Sequence, residues 1–189
     1  MSCKSLNLGI LVSGGGTNLQ ALMDAQNAGF FKSRIRVVIS DKNDAYALKR
    51  AEKADIPTFC LKEQKDIIKK LQEYDVDLVV LAGYLKILDK DFLKAYNRRI
   101  INIHPSLLPK YGGMGMHGTK VHEAVFKAGE KKSGASVHYV TDVVDGGDII
   151  LQEKCDISDL KTPAEIQKRV LDIEHGLLKK AVLKLEEEL

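Results

Sequence analysis

Two polar side chains stand close together in an otherwise apolar run near the middle of the chain. The run reads "INIHPSLLP" and places Asn102 two residues before His104. In a strand, side chains alternate between faces, so this pair would point one way while the isoleucines beside it pack the other way. An Asn amide can donate to a developing oxyanion, and a His can carry a proton near neutral pH. The pair therefore suits acyl or formyl transfer, or it is a structural pair at the end of a strand.

A carboxylate that could serve His104 follows later in the chain. Asp145 lies in "TDVVDGGDI", before two glycines that permit a sharp reversal of the backbone. Close to His104, this carboxylate would stabilise the charged imidazole; as a plain Asp-Gly turn, it would be solvated. Ser136 and His138 share a face of the preceding strand and are predicted to line the same crevice. No Ser or Cys is evident as a nucleophile next to Asn102 and His104, which argues against a covalent acyl-enzyme.

A glycine-rich loop follows the first apolar run. "SGGGTN", residues 13–18, precedes a segment with apolar residues at helical spacing. Glycines let backbone N–H groups approach an anion at a helix N-terminus, so the loop is a candidate phosphate site. The loop lacks the sequence of a P-loop or of the dinucleotide fingerprint, so neither ATP nor NAD is indicated. The alternative is a tight turn in which Thr17 or Asn18 caps the helix.

The elements that would position these residues alternate along the chain. Apolar strand-like runs and amphipathic helical stretches follow one another as far as "RIINIH", which predicts a mainly parallel sheet covered on both faces. Ligands of such sheets bind beyond the carboxyl ends of the strands. Two late strands, "GASVHYVTD" and "GDIILQEKCDI", are joined too tightly for a helical crossover and should run antiparallel. The sequence predicts a single Rossmann-like, doubly wound α/β domain over residues 1–189, with an antiparallel strand near the C-terminus.

Composition narrows the classes of function. The net charge of the 189 residues is +3, and basic and acidic residues are interspersed, so no nucleic-acid partner is expected. Three cysteines lie far apart and no metal-binding spacing is present, which favours reduced thiols and no metal site. No segment approaches the ~20 apolar residues of a membrane span. We expect a cytoplasmic protein with no membrane partner.

Several separate motifs carry a resemblance to a known family. The segment "NIHPSLLPKY" and the later "DGG" resemble the 10-formyltetrahydrofolate-dependent formyltransferases. Together with these, "LVSGGGTNLQAL", "VVLAGYLKIL", "IEH" and the short chain are similar to the members that act on phosphoribosylglycinamide. The resemblance implies direct transfer of a formyl group from 10-formyltetrahydrofolate to the amine of 5'-phosphoribosylglycinamide in purine biosynthesis. A tetrahedral intermediate is implied, and neither a metal nor an acyl-enzyme.

The resemblance also assigns roles to individual residues. Asn102, His104 and Asp145 would be catalytic, with Ser136 and His138 in support. The N-terminal half of the domain would bind the ribonucleotide, and the C-terminal half would bind folate and carry out catalysis. Residues at the two ends of the site would be as follows: Gly16, Thr17 and Asn18 for the substrate phosphate, Glu174 for the ribose, and Leu85, Lys86, Ile87, Leu88, Leu93, Thr141, Asp142, Val143, Val144 and Gly146 for the folate. A cis bond before Pro109 is also implied.

The chain departs from the family pattern in two places. "KYGGMGMHGTKVHEAV" is longer and richer in glycine than the usual version, so no role is assigned to His117 or His122. Lys86 stands where an Arg is common, and residues 61–74 contain no match for an arginine that some members direct at the phosphate. Two other functions stay open: transfer to another amine, such as that of an amino sugar nucleotide, and metabolite binding without catalysis. A monomer and a homodimer are both compatible with the sequence.

Overall fold

A computed structural model describes residues 5–188, so Cys3, one of the three cysteines, lies outside the described part of the chain. Seven strands form one sheet and six helices pack against it, which confirms the predicted α/β class. The strands are β1 (Asn7–Val12), β2 (Arg34–Ser40), β3 (Thr58–Cys60), β4 (Leu78–Leu81), β5 (Ile100–His104), β6 (Lys132–Tyr139) and β7 (Ile149–Asp156). The helices are α1 (Thr17–Asn27), α2 (Tyr46–Glu52), α3 (Gln64–Glu73), α4 (Lys90–Ala95), α5 (Thr119–Lys127) and α6 (Pro163–Glu188).

The strands lie in the order β3-β2-β1-β4-β5-β6-β7. The first five in this order pair in parallel, and β6 runs antiparallel to both β5 and β7. This confirms a mainly parallel sheet with a reversed strand near the C-terminus. The β6 strand begins at Lys132, two residues before the predicted start, because β7 is long enough to pair with it down to Asp156.

Apolar side chains cover the sheet on both faces. Residues of β1 alternate as a strand requires: Leu8, Ile10 and Val12 join a core cluster with α1, α2, α5 and α6. Leu11 points the other way, into a cluster with α3 and α4. Each face of the sheet is therefore closed by helices, as the doubly wound architecture requires.

The β5 strand changes character along its length. Ile101 and Ile103 belong to the cluster beneath α1 and α6, whereas Ile100 packs into the cluster on the opposite face. By alternation, Asn102 and His104 share the face of Ile100 but lie toward the carboxyl end of the strand. This face is apolar where the helices cover it and polar where the strand ends, which delivers two functional groups to the edge of the core.

Candidate active site

A cavity of about 710 Å³ opens beyond the carboxyl ends of the parallel strands. Its walls come from the loops after β1, β4 and β5, from the turn between β6 and β7, and from α5 and α6. Asn102, His104 and Asp145, the predicted catalytic residues, all line it. The structure thus brings together three side chains that lie up to 43 positions apart in the sequence.

His104 is held between a carbonyl and a carboxylate. Its Nε2 lies 2.8 Å from the carbonyl oxygen of Tyr111. A carbonyl only accepts, so Nε2 carries a proton and donates it, and Nδ1 is the nitrogen that titrates. Nδ1 faces Asp145 Oδ2 at 3.5 Å. Burial lowers the pKa of His104 below its usual value although Asp145 opposes that shift, so the imidazole is neutral at pH 7 and can take up a proton next to a carboxylate.

Asp145 accepts a backbone hydrogen bond on one oxygen and lies near His138 on the other. Oδ2 accepts from the Gly113 N–H at 2.9 Å, and Oδ1 lies 3.5 Å from His138 Nε2. Burial would raise the pKa of Asp145, but His138, His104 and the Gly113 N–H together lower it below the usual value. The carboxylate is therefore ionised in the pH range in which His104 titrates.

The backbone turn at Asp145 differs from the expectation. Asp145 itself adopts the left-handed conformation, with φ of 55°, while the two glycines after it do not have positive φ. Gly147 is required for a different reason: a Cβ there would lie 1.8 Å from the Tyr139 carbonyl oxygen. The glycines permit close packing of the turn, and Asp145 makes the reversal that brings its carboxylate to the cavity.

Asn102 is oriented by His138 across the β5–β6 pair. The two residues are direct partners in the ladder, and Asn102 Nδ2 lies 3.1 Å from His138 Nε2. His138 Nδ1 lies 2.9 Å from the Tyr139 carbonyl oxygen, so Nδ1 donates to that carbonyl and Nε2 accepts from Asn102. The amide nitrogen of Asn102 is thereby fixed, and its second N–H remains free to donate.

The glycine loop closes one end of the cavity, at the start of α1. Gly16 has φ of 73° and precedes the helix, and Gly16, Thr17 and Asn18 line the cavity. Asn18 Nδ2 donates to Glu174 Oε2 at 2.8 Å, which ties α1 to α6. Burial raises the pKa of Glu174 to about 7, although the hydrogen bond from Asn18 opposes this shift. The buried Oδ1 of Asn18 has no hydrogen-bond partner among residues 5–188, so this end of the cavity offers an unsatisfied acceptor.

Comparison with known proteins places the chain in a family. Residues 6–182 match the family model described as "Formyl transferase". The chain belongs to the formyl transferase family. It is 39% identical over 181 residues to the phosphoribosylglycinamide formyltransferase of Escherichia coli, covering 91% of this chain and 83% of that protein. The enzyme of the same name from Haemophilus influenzae is 42% identical over 179 residues, covering 90% and 82%.

A solved structure extends the likeness from sequence to fold. Glycinamide ribonucleotide transformylase 1 from Symbiobacterium toebii superposes with a TM-score of 0.92 at 36% identity. The match covers 100% of this chain and 90% of that one. The likeness in fold therefore extends over the part of the chain that the structure describes.

Most of the residues that the family resemblance assigned to folate also line the cavity. The seven that line it are Leu85, Lys86, Ile87, Leu88, Thr141, Val143 and Val144. Three side chains of this wall are unusually exposed for apolar residues: Leu85 at 50%, Ile87 at 56% and Val143 at 62%. An apolar wall left open to solvent suits a flat ring that would cover it.

The structure places the remaining members of that set elsewhere. Leu93 does not line the cavity but packs on the core cluster of α3 and α4, because its position on α4 turns it toward the sheet. Asp142 and Gly146 are exposed in the β6–β7 turn and lie outside the cavity lining. Ser136 is fully buried behind the site: its Oγ donates to the Ser106 carbonyl at 2.6 Å and accepts from the Leu108 N–H at 3.1 Å.

Side chains from the N-terminal half hold the folate-side wall. Ser13 Oγ accepts from the Leu85 N–H at 3.0 Å and donates to Asp41 at 2.6 Å. Gln64 donates to the Ile87 carbonyl and accepts from the Asp89 N–H, both at 2.9 Å. Side chains from both Ser13 and Gln64 therefore fix the backbone of the wall that was assigned to folate.

Residues without a predicted role also line the cavity. His122 is 2% exposed, and burial together with the neighbouring His104 lowers its pKa to about 4. Its spacing of three from Val125 would have placed it on the buried face of α5 from the sequence alone. The others that sequence reasoning missed are Tyr84, Met114, Met116, Gln167 and Leu171, and His117, to which no role was assigned, lines the cavity as well. Two methionines inside a glycine-rich loop were the available signal.

Further features of the described part of the chain bear on other kinds of site. Residues 5–188 contain no group of three His, Cys, Asp or Glu side chains placed to hold a metal ion. No described helix is long and apolar enough to cross a membrane. Cys60 and Cys155 are both free thiols. The bond between Leu108 and Pro109 is cis, as the resemblance implied.

Proposed function

We propose that the protein transfers a formyl group from 10-formyltetrahydrofolate to the amine of 5'-phosphoribosylglycinamide in purine biosynthesis. The observation that carries the proposal is that Asn102, His104 and Asp145 line one cavity together. The same cavity is lined by the glycine loop, by the hydrogen-bonded Asn18 and Glu174, and by an exposed apolar wall. Two different substrates could thus meet at the catalytic groups. The relatives in the formyl transferase family support the same reaction.

Each substrate has a matching end of the cavity. The ribonucleotide phosphate would accept N–H donors from Gly16, Thr17 and Asn18 at the positive end of α1. Glu174 would accept from the ribose hydroxyls. The pteridine of the folate would lie against Leu85, Ile87 and Val143, with the backbone of the loop from Thr141 to Gly147 at its edge, which covers apolar surface that is otherwise exposed.

The chemistry follows from the protonation states of three side chains. The amine nitrogen attacks the formyl carbon, and the carbonyl oxygen becomes an oxyanion. The free N–H of Asn102 donates to that oxygen, and His104 adds positive charge once its Nδ1, beside Asp145, has taken the proton that the attacking amine loses. The attacking nitrogen loses a proton and N10 of the leaving tetrahydrofolate gains one, with His104 and a water held by Asp145 as the carriers. The tetrahedral intermediate then collapses: the oxyanion becomes a carbonyl again, the bond between the formyl carbon and N10 breaks, and the new bond to the amine nitrogen remains.

The same arrangement supports the remaining proposals. The side chains supply oxyanion stabilisation and proton transfer themselves, so we propose a reaction without a metal and without an acyl-enzyme. The partners would be the two small-molecule substrates, with no nucleic acid or membrane. Free thiols at Cys60 and Cys155 support a reducing compartment, and we propose the cytoplasm. The active species would be a monomer or a homodimer.

One assay tests the reaction. Purified protein is incubated with 10-formyltetrahydrofolate and 5'-phosphoribosylglycinamide, and release of tetrahydrofolate is followed. We expect release that depends on both substrates. Asn102→Ala should lower kcat by ~10²- to 10³-fold and His104→Ala by ~10²- to 10⁴-fold, because each removes a group that acts in the transition state.

Substrate binding serves as the internal check. KM for both substrates should change little in either variant, since neither side chain anchors a substrate in the ground state. Asn97→Ala, an exposed asparagine outside the cavity, is the matched control and should keep full kcat. Near-normal turnover in Asn102→Ala or His104→Ala would show that the catalytic assignment is wrong.

A further inference from the structure

The phosphate end of the cavity lacks a cation among its lining residues. Lys86 is the only Lys or Arg among the described residues that line the cavity; it lies on the folate side, where its Nζ donates to the Lys62 carbonyl. The ionisable lining residue that contacts the loop segment is Glu174, an acid, which accepts from Asn18. A doubly charged phosphate at this loop would need a positive charge from behind the lining.

The α2 helix packs directly behind the loop. Its Ala47 N–H donates to the Gly14 carbonyl at 3.0 Å, and Arg50 Nε donates to the Gly15 carbonyl at 2.8 Å. The Gly16 carbonyl accepts from the Gln20 N–H at 2.9 Å, inside the first turn of α1. All three glycine carbonyls therefore have donors away from the cavity.

The N–H groups of the same loop are free. In the described part of the chain, no residue accepts from the N–H of Gly15 or Gly16. The contact with α2 also explains why residue 16 is glycine: a Cβ there would lie 2.6 Å from the Ala47 Cβ. The carbonyl groups of the loop are thus hydrogen-bonded within the protein, and its N–H groups are the backbone polar groups that can bind a ligand. The buried Oδ1 of Asn18, beside the same loop, also has no partner among the described residues; as an acceptor it would take a ligand donor such as a ribose hydroxyl.

Arg50 is held in place by three contacts. Besides the Gly15 carbonyl, its Nη1 donates to Gln20 Oε1 at 3.1 Å, and its guanidinium lies 4.9 Å from the centre of the Tyr46 ring. Two of its five N–H groups are used, and the other three remain. A guanidinium stays charged at any physiological pH, so a fixed positive charge lies one hydrogen bond from the loop.

From these contacts we propose that Arg50 completes the phosphate subsite: it holds the Gly15 carbonyl away from the ligand and supplies the positive charge that the lining lacks. This inference rests on the proposed function, which places the substrate phosphate at the glycine loop. It makes Arg50 a positioning residue whose effect is confined to the phosphorylated substrate. Chemistry at His104 and binding of the formyl donor lie outside its reach.

Steady-state kinetics of three variants test the proposal. Arg50→Gln should raise KM for 5'-phosphoribosylglycinamide roughly 10-fold, because the positive charge beside the loop and the charged donor to the Gly15 carbonyl are lost, with kcat and KM for the formyl donor nearly unchanged. Arg50→Lys keeps the charge but not the planar fork, and should raise this KM roughly 3-fold. Lys49→Gln removes the same charge from an exposed neighbour on α2 and should behave as wild type.

A dephosphorylated substrate separates a phosphate effect from a general loosening of the site. KM for the glycinamide ribonucleoside should be the same in wild type, Arg50→Gln and Arg50→Lys. Inorganic phosphate, titrated directly by calorimetry, should bind Arg50→Gln roughly 10-fold more weakly than wild type. An equal rise of KM for the ribonucleotide and the ribonucleoside would overturn the proposal, and so would an unchanged KM.

Two further outcomes are distinguishable. If wild type binds inorganic phosphate but forms no product from the ribonucleotide, the proposed function fails, and the phosphate titration still decides the role of Arg50. If Arg50→Gln does not fold, Arg50→Lys decides: wild-type phosphate affinity in that variant would overturn the role of the guanidinium fork.

Discussion

At the scale of single residues, the site depends on which ring nitrogen of each histidine carries the proton. The Tyr111 carbonyl fixes the proton of His104 on Nε2, and the Tyr139 carbonyl fixes that of His138 on Nδ1. The two imidazoles therefore present opposite chemistry to the cavity: His104 exposes the nitrogen that titrates, and His138 presents an acceptor to Asn102. Two backbone carbonyls thus divide the roles of two similar side chains.

This arrangement predicts that His138 acts on catalysis through Asn102. His138→Leu removes the acceptor that orients the amide, and we expect kcat to fall roughly 10- to 100-fold with little change in KM. His138→Gln places an amide oxygen near the position of Nε2 and should restore most of the activity. In an Asn102→Ala background, His138→Leu should cause no further loss of kcat. A full additional loss in that background would mean that His138 has a separate structural role.

The sequence predicted these residues unequally. Alternation along a strand was enough to place Asn102 and His104 on one face, and Ser136 and His138 on another strand's face. It did not reveal the register of β5 against β6, which makes His138 rather than Ser136 the partner of Asn102. Register depends on pairing across 36 positions of chain, and no local pattern encodes it.

At the scale of elements, the reversed strand β6 fixes the segment that follows β5, next to the catalytic residues. Ser136 on this strand binds the segment that follows β5: it donates to the Ser106 carbonyl and accepts from the Leu108 N–H and from Gln152 of β7. The short connection between β6 and β7 was sufficient to predict their antiparallel pairing. The link from Ser136 to the segment after β5 was not predictable, because a buried hydroxyl has no periodic signal.

Loss of this link should affect stability more than chemistry. Ser136→Ala would leave the buried Leu108 N–H without its acceptor and the Ser106 carbonyl without this donor, and we expect the free energy of unfolding to fall by about 1–3 kcal/mol in urea titrations. Activity should fall far less than in Asn102→Ala. Ser5→Ala, an exposed serine, should change stability by less than about 0.5 kcal/mol. A Ser136→Ala protein as stable as wild type would show that this link contributes nothing to the fold.

At the scale of the whole molecule, the site joins the two ends of the chain. Asn18 at the start of α1 and Glu174 in α6 are 156 positions apart and share a buried hydrogen bond. Composition and periodicity placed each residue on its helix but could not bring them together; the family resemblance did so by assigning both to one substrate. The contact also buries the Glu174 carboxyl, and this burial makes the stability of the entire fold depend on pH.

The free energy of unfolding should fall as pH rises, through Glu174. Its pKa is raised from 4.5 to about 7 on folding, chiefly by burial, so the folded state binds an extra proton between these values. Stability from this group is complete below pH 4.5 and is lost as pH rises through about 7, to an extent of about 3 kcal/mol. Glu174→Gln stays neutral and keeps an acceptor for Asn18. Urea titrations from pH 4.5 to 8 should therefore show that the free energy of unfolding of the variant rises relative to that of wild type by about this amount as pH rises.

Glu123→Gln, a substitution of an exposed glutamate on α5, should instead follow the wild-type curve. Parallel curves for Glu174→Gln and wild type would mean that Glu174 has the same pKa in the folded and unfolded chain, so that burial beside Asn18 does not raise it.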